Sequence, residues 1–153
     1  MSDDTSYRAL VFRISGRLYS LPLAQVVETM RPLPVQRFHG APDFVLGAAI
    51  VRGQPVPVIS AARLLGEAAV ACRRWITIAT GVRRVALEVD DVLGVRSIPA
   101  ADDAMRQPLL EGAGLDRVAT LGRLDGQLLR SLQGACLVPE DAWAAMGAEE
   151  AAA

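Results

Sequence analysis

The chain has 153 residues, which suits one domain or two small fused subdomains, and 52% of its residues are hydrophobic, enough to bury a sizeable core. Its formal net charge of -1 gives no bulk attraction to nucleic acid or to anionic lipid. All 16 basic residues are arginine, which excludes chemistry that needs a lysine, such as a Schiff base or a phosphate-loop lysine.

The start of the chain predicts a polar lead followed by a hairpin. Residues 1–6 are acidic and polar and lack the basic and apolar regions of a signal peptide, so we expect a disordered segment. Residues 7–14 and 18–21 are rich in strand formers, and residues 15–17 between them form a turn signal. Pro22 then begins a stretch that favours one helical turn leading into a strand.

A central stretch predicts two apolar strands joined at Arg52, Gly53 and Gln54. Gly53 and Gln54 form a plausible tight-turn pair, because glycine permits the positive φ that a hairpin requires. Pro55 and Pro57 cannot donate to a ladder, so the return strand should have an open side or an irregular start. Arg52 is then held at a fixed place with its stem packed and its head free. The alternative is that it only solvates the hairpin tip.

The rest of the chain predicts further strands separated by turns. These strands are residues 75–79, 85–89, 92–98, 117–124 and 127–132. Asp125-Gly126, between the last two, is the strongest short hairpin signal in the chain. Short helices are predicted at residues 61–65 and 139–146, and residues 147–153 should fray.

The spacing of the strands indicates an all-β domain. Nine or ten short strands recur at intervals of about 8–12 residues with very little helix, which is typical of a barrel or sandwich. We expect residues 7–146 to form a single domain of two subdomains. The small-residue connection near residues 66–72 is the best candidate for their boundary.

Motifs for catalysis, zinc or nucleotide binding are not found in the sequence. Cys72 and Cys136 lie far apart and are interpreted as reduced thiols of a cytosolic protein. Arg83-Arg84 is a basic pair at a predicted turn without interleaved aromatic residues, which does not support a nucleic-acid surface. No run reaches the roughly 18 apolar residues that a membrane span needs. The composition therefore favours a binding module.

Several motifs, taken in order, resemble the CheW-like domain, the coupling adaptor of bacterial chemotaxis arrays. The resemblance covers nearly the whole chain. The motifs that carry it are the strand pair of residues 10–23, Val26-Val27-Glu28, Gly47 with Ile50, Arg52-Gly53, Pro57-Val58-Ile59, and Val89-Asp90-Asp91-Val92. Each is weak alone, and their order and spacing together are specific.

The resemblance implies a CheW-like fold of two small five-stranded β-barrels around a shared hydrophobic core, with the short C-terminal helix added. It implies no enzymatic activity and no cofactor. It also implies a cytoplasmic scaffold that couples the tips of chemoreceptors to the histidine kinase CheA, at membrane-associated arrays reached through these partners, without inserting into the membrane or binding nucleic acid.

Five residues match positions at or near the partner surfaces of that family. Arg52 matches the interface arginine, and Val26 and Glu28 match positions on or near the receptor-binding face. Gly47 matches a structural glycine beside the receptor groove, and Gly53 follows Arg52 in the same motif. We therefore expect these five residues to be partner-binding.

The sequence departs from the family pattern at three positions. Ser60 stands where Asp is frequent, Thr120 where Gly is usual, and Arg130 in a strand that commonly runs aliphatic into Asp. These departures leave open a divergent chemosensory pathway, such as type IV pilus motility.

Two other functional classes remain open. One is a small β-barrel enzyme that uses Glu88, Asp90 or Asp91 with the sole histidine, His39. Glu88 and Asp90 would share a strand face about 7 Å apart, although a solvated strand edge is the simpler interpretation. The other is an interaction domain that has lost array function and binds another partner.

Overall fold

The structure, a computed structural model, describes residues 6–68, 73–80, 83–99 and 118–132 and the single positions 138 and 144. This part of the chain consists mostly of strands. The strands are β1 Ser6–Ile14, β2 Arg17–Pro22, β3 Val26–Met30, β4 Val45–Val51, β5 Gln54–Ser60, β6 Arg74–Thr80, β7 Arg83–Val89, β8 Asp91–Pro99, β9 Val118–Leu124 and β10 Gln127–Leu132. A 3₁₀ turn, Leu23–Gln25, precedes β3, and the short helix α1, Ala61–Leu64, follows β5.

The strands form two five-stranded sheets. Sheet 1 has the order β8-β1-β2-β10-β9, and sheet 2 has the order β3-β6-β7-β5-β4. Adjacent strands are antiparallel, except for the parallel pairs β2–β10 and β5–β7. The predicted all-β fold of two five-stranded units is confirmed.

The chain enters sheet 2 after β2 and returns to sheet 1 after β7, so the sheets do not correspond to sequence halves. β5 and β7, which lie on either side of the predicted boundary near residues 66–72, pair with each other through Val58 and Ala86. The strands of sheet 2 therefore pair across that predicted boundary. The spacing of strands along the sequence could not predict the β5–β7 pairing, because a parallel pair joins strands that are distant in sequence.

The core consists of three clusters, because alternate residues of a strand face opposite sides of its sheet. One cluster lies between the two sheets, and each sheet packs a second, smaller cluster on its other face. Between the sheets lies the shared core, to which sheet 1 contributes Phe12, Ile14, Tyr19 and Leu21 and sheet 2 contributes Ile59, Ile76, Ile78, Val85 and Leu87. Trp75 and Ala86 belong to the smaller cluster of sheet 2. Val11 and Leu129 belong to the smaller cluster of sheet 1. The shared core expected for two small barrels is present.

Three hairpins turn at an X-Gly pair in which both residues have positive φ, as in a type I′ turn. The pairs are Ser15-Gly16, Arg52-Gly53 and Asp125-Gly126. The turn predicted at Gly53 and Gln54 is thus shifted by one residue, since Gln54 already begins β5.

Smaller corrections concern the ends of elements. Ser6 was predicted to belong to a lead of residues 1–6, but it pairs with Pro99 as the first residue of β1. Arg83-Arg84 begins β7 and does not form a turn.

Some predictions fall outside the described residues. These are the frayed tail at 147–153, the C-terminal helix apart from position 144, and the thiols Cys72 and Cys136. None of the helices in the described ranges is long and apolar enough to cross a membrane.

Candidate interaction site

Arg52 is fixed at the tip of the β4–β5 hairpin. Its backbone φ is 50° and that of Gly53 is 78°, so the two residues make the whole turn. The Arg52 side chain is 76% exposed. The hairpin therefore presents a guanidinium group to solvent from an ordered backbone.

Glu28 is aimed by an irregularity in β3. The register of β3 against β6 shifts between Val26 and Glu28, which is a β-bulge. Thr77, buried on β6, fills the gap: its Oγ1 accepts from the Glu28 backbone N–H at 3.2 Å and donates to the Glu28 carbonyl oxygen at 3.2 Å. Bulges commonly redirect a side chain at a sheet edge, and here the redirected side chain is a carboxylate.

Arg52 and Glu28 form a bidentate pair. Arg52 Nε donates to Glu28 Oε2 at 2.7 Å, and Arg52 Nη2 donates to Oε1 at 2.9 Å. The hydrogen bonds from Arg52 are the largest cause that lowers the pKa of Glu28, and the same contact raises the pKa of Arg52. The expectation that the head of Arg52 is free is therefore wrong, because the β3 bulge brings a carboxylate to it.

A surface pocket surrounds this pair. Its polar walls are Glu28, Arg52, Gln54, Thr77 and Arg84, and its apolar surface includes Val27, which is 41% exposed. Sequence reasoning missed Val27 and Thr77, and it considered Arg84 only for nucleic acid. These three residues come from β3, β6 and β7, so only their pairing in sheet 2 brings them together.

The other three residues expected at the partner surface, Val26, Gly47 and Gly53, are not part of the ion pair. Val26 is partly buried and packs against the shared core. Gly47 is buried in β4, where an added Cβ would lie 2.0 Å from the backbone oxygen of Gln36. Gly53 is exposed and completes the Arg52 turn. Arg52 and Glu28 therefore form the polar centre, while Gly47 and Gly53 have backbone roles.

The carboxylates considered for catalysis have separate local partners. Glu88 Oε1 accepts from Trp75 Nε1 at 3.3 Å, and Asp90 Oδ2 accepts from the Gly16 backbone N–H at 3.1 Å. Asp91 Oδ1 accepts from the next backbone N–H at 2.9 Å. Among the described residues, no three His, Cys, Asp or Glu side chains lie together where they could hold a metal ion.

The sequence model of the CheW-like domain matches residues 8–141. The chain belongs to the CheW-like domain family. Members of this family are scaffold proteins and are generally not enzymes.

Two individual proteins add to this assignment. The crystal structure of the scaffolding protein TtCheW from Thermoanaerobacter tengcongensis is similar with a TM-score of 0.75, over 87% of this chain and 92% of that one. The two sequences are 21% identical, so this similarity shows the fold. The protein FrzA of Myxococcus xanthus is 32% identical over 94 residues, which are 60% of this chain. The match spans 59% of the length of FrzA.

Proposed function

We propose that this CheW-like protein is a cytoplasmic adaptor that couples the tips of chemoreceptors to a CheA-type histidine kinase. The observation that carries the proposal is the Glu28–Arg52 pair, which sheet 2 holds at its surface through a hairpin turn and a β-bulge. Family membership supports the adaptor role, and the position of the pair supports this part of sheet 2 as a contact surface.

The pair can bind a partner without being taken apart. A guanidinium group has five N–H donors, and Arg52 uses one on Nε and one on Nη2 for Glu28. The remaining donors, including both on Nη1, can reach a partner carbonyl or carboxylate. Exposed ion pairs add little to folding stability, so the fold alone gives little reason for this arrangement.

The test is to replace Arg52 by Ala and measure co-sedimentation with purified receptor fragment and kinase. We expect assembly to weaken about tenfold or more, as is common for an anchoring interface arginine, while the melting temperature stays close to wild type. Arg52→Lys should rescue only partly, because an ammonium group cannot reproduce the bidentate geometry.

Arg96→Ala is the matched control, since Arg96 of β8 also makes an exposed bidentate pair, with Asp125 in the turn between β9 and β10. If Arg52→Ala unfolds the protein, Arg52 is structural. If Arg52→Ala assembles as well as wild type, the Glu28–Arg52 pair is not a partner contact.

Glu28 should contribute mainly to the receptor contact. We expect Glu28→Arg to weaken receptor binding and to leave kinase binding nearly intact, because it places a third cation beside Arg52 and Arg84. Equal loss of both partners would instead place Glu28 in the kinase contact.

A divergent chemosensory pathway is the second candidate, and the similarity to FrzA favours it. Binding assays with every CheA-type kinase of the same genome separate the candidates. A partner from a flagellar cluster supports the first, and a partner from a pilus-type cluster supports the second.

A further inference from the structure

We propose that Arg84 is a second recognition residue beside Glu28 and Arg52, and that the pocket between Arg52 and Arg84 takes a carboxylate side chain from the receptor tip. This inference rests on the proposed function, because the receptor supplies the carboxylate.

Strand pairing places Arg84 at the pocket. Arg84 lies opposite Ala79 in the β6–β7 pair, two residues from Ala86 on the same face of β7. Ala86 in turn lies opposite Thr77, the residue that holds the Glu28 backbone. Arg84 is exposed and lines the same pocket as Arg52.

The pocket has an excess of positive charge. Both carboxylate oxygens of Glu28 accept from Arg52. Within the described ranges, no carboxylate forms an ion pair with Arg84. Two guanidinium groups and one carboxylate therefore line the pocket, so one negative group from outside would balance its charge.

The charge of Arg84 acts on Glu28. The hydrogen bonds from Arg52 are the largest cause that lowers the pKa of Glu28, and the positive charge of Arg84 lowers it further. Arg84→Gln should therefore raise the pKa of the Glu28 carboxyl, which a carbon-detected NMR titration measures without any partner.

A carboxylate fits the free donors better than other partner groups. Guanidinium groups bind carboxylates through paired N–H donors, and charged hydrogen bonds are stronger than neutral ones. Val27 adds exposed apolar surface to the same pocket. The complementary receptor segment thus carries an acidic residue next to an aliphatic one.

The binding experiment compares wild type, Arg84→Gln and Arg84→Glu against a receptor cytoplasmic fragment over a range of salt concentrations. We expect Arg84→Gln to weaken binding about tenfold and to reduce its salt dependence, and Arg84→Glu to weaken it further. Arg123→Gln, which removes one exposed charge from sheet 1, should bind like wild type.

The partner side of the experiment replaces each acidic residue of the receptor tip by its amide. Replacing the acidic residue that contacts Arg84 should weaken receptor binding to the wild-type protein. The same replacement should have little further effect on binding to the Arg84→Gln variant, because the effects of two residues in contact are not additive in a double-mutant cycle.

The outcomes separate the two proposals. If Arg52→Ala weakens receptor binding but Arg84→Gln binds with wild-type affinity and salt dependence, the role of Arg84 is wrong and the adaptor function stands. If Arg84→Gln weakens only kinase binding, the proposal that the pocket takes a receptor carboxylate is also wrong. If wild type binds neither receptor nor kinase, the adaptor function fails, and the receptor-specific role of Arg84 fails with it.

Discussion

Arg52 occupies a backbone conformation that arginine rarely adopts. In the described residues, the three non-glycine residues with positive φ are Ser15, Arg52 and Asp125, each followed by glycine in a hairpin turn. Asp tolerates this region and Ser is a common turn residue, whereas Arg has no local reason to be there. Unfavourable local geometry tends to occur at functional sites, where a contact offsets it.

Arg52→Asn separates the local preference from the function. Asn-Gly is the favoured pair for a type I′ turn, so the melting temperature should equal or exceed that of wild type. Receptor binding should fall about tenfold or more, because the short amide cannot replace the guanidinium fork. Thermal melting and co-sedimentation of the same preparation check both parts. A less stable protein, or one that binds normally, would contradict this view of the residue.

Hairpins were predictable at the scale of elements because their signals are local. The turn at Asp125-Gly126 was predicted correctly, and the turn predicted at residues 15–17 is made by Ser15 and Gly16, since Arg17 already begins β2. The error at Gln54 arose because Arg at positive φ is not a usual turn signal. The bulge that aims Glu28 was not predictable, because it depends on Thr77 in a strand about fifty residues away. The sequence therefore indicated both members of the ion pair but not their contact.

The edge strand β4 depends on a glycine for a different reason. Gln36 forms two backbone hydrogen bonds with Ala48, each of 2.8 Å, which cover part of this edge. An added Cβ at Gly47, whose φ is 141°, would meet backbone atoms of Gln36 and Arg37 at 2.0–2.9 Å. Backbone atoms cannot move away without breaking this bridge.

Gly47→Ala should destabilise the protein by ~1–3 kcal/mol or more, since overpacking and backbone strain act together. Gly94→Ala is the matched control: its φ is 125°, but a Cβ there meets nothing within 4 Å. Urea unfolding of both variants isolates the steric part. Equal losses would show that the approach of Gln36 is not tight and that only φ matters.

At the scale of the whole molecule, a polar cluster joins the two sheets at the edge of their shared core. Glu67, which follows α1, pairs with Arg17 and accepts from the Tyr19 hydroxyl at 3.1 Å on Oε2. Tyr19 itself is buried against Phe12, with ring centroids 6.4 Å apart. The composition predicted a sizeable core, but neither this contact nor the exchange of strands between the sheets has a local sequence signal.

Ionisation of the Tyr19 hydroxyl should make the stability of the protein depend on pH. Burial, followed by the charge of Glu67 and the hydrogen bond to it, raises the Tyr19 pKa from 10.0 to about 12. Below pH 10 the folded and unfolded states both keep the proton, and between 10 and about 12 the unfolded state loses it first. The free energy of unfolding should therefore fall as pH rises through this window, by an amount on the order of 2 kcal/mol.

The chain suits this measurement, because it has no lysine, whose ordinary pKa falls in this window, and Tyr7 is its one other tyrosine. Urea unfolding on both sides of pH 10, in a Tyr7→Phe background, should show the loss. Tyr19→Phe should remove it, since phenylalanine keeps the packed ring without an ionisable hydroxyl. If the free energy of unfolding falls equally with and without Tyr19→Phe, the folded state does not raise the Tyr19 pKa and the contact with Glu67 has no effect on it.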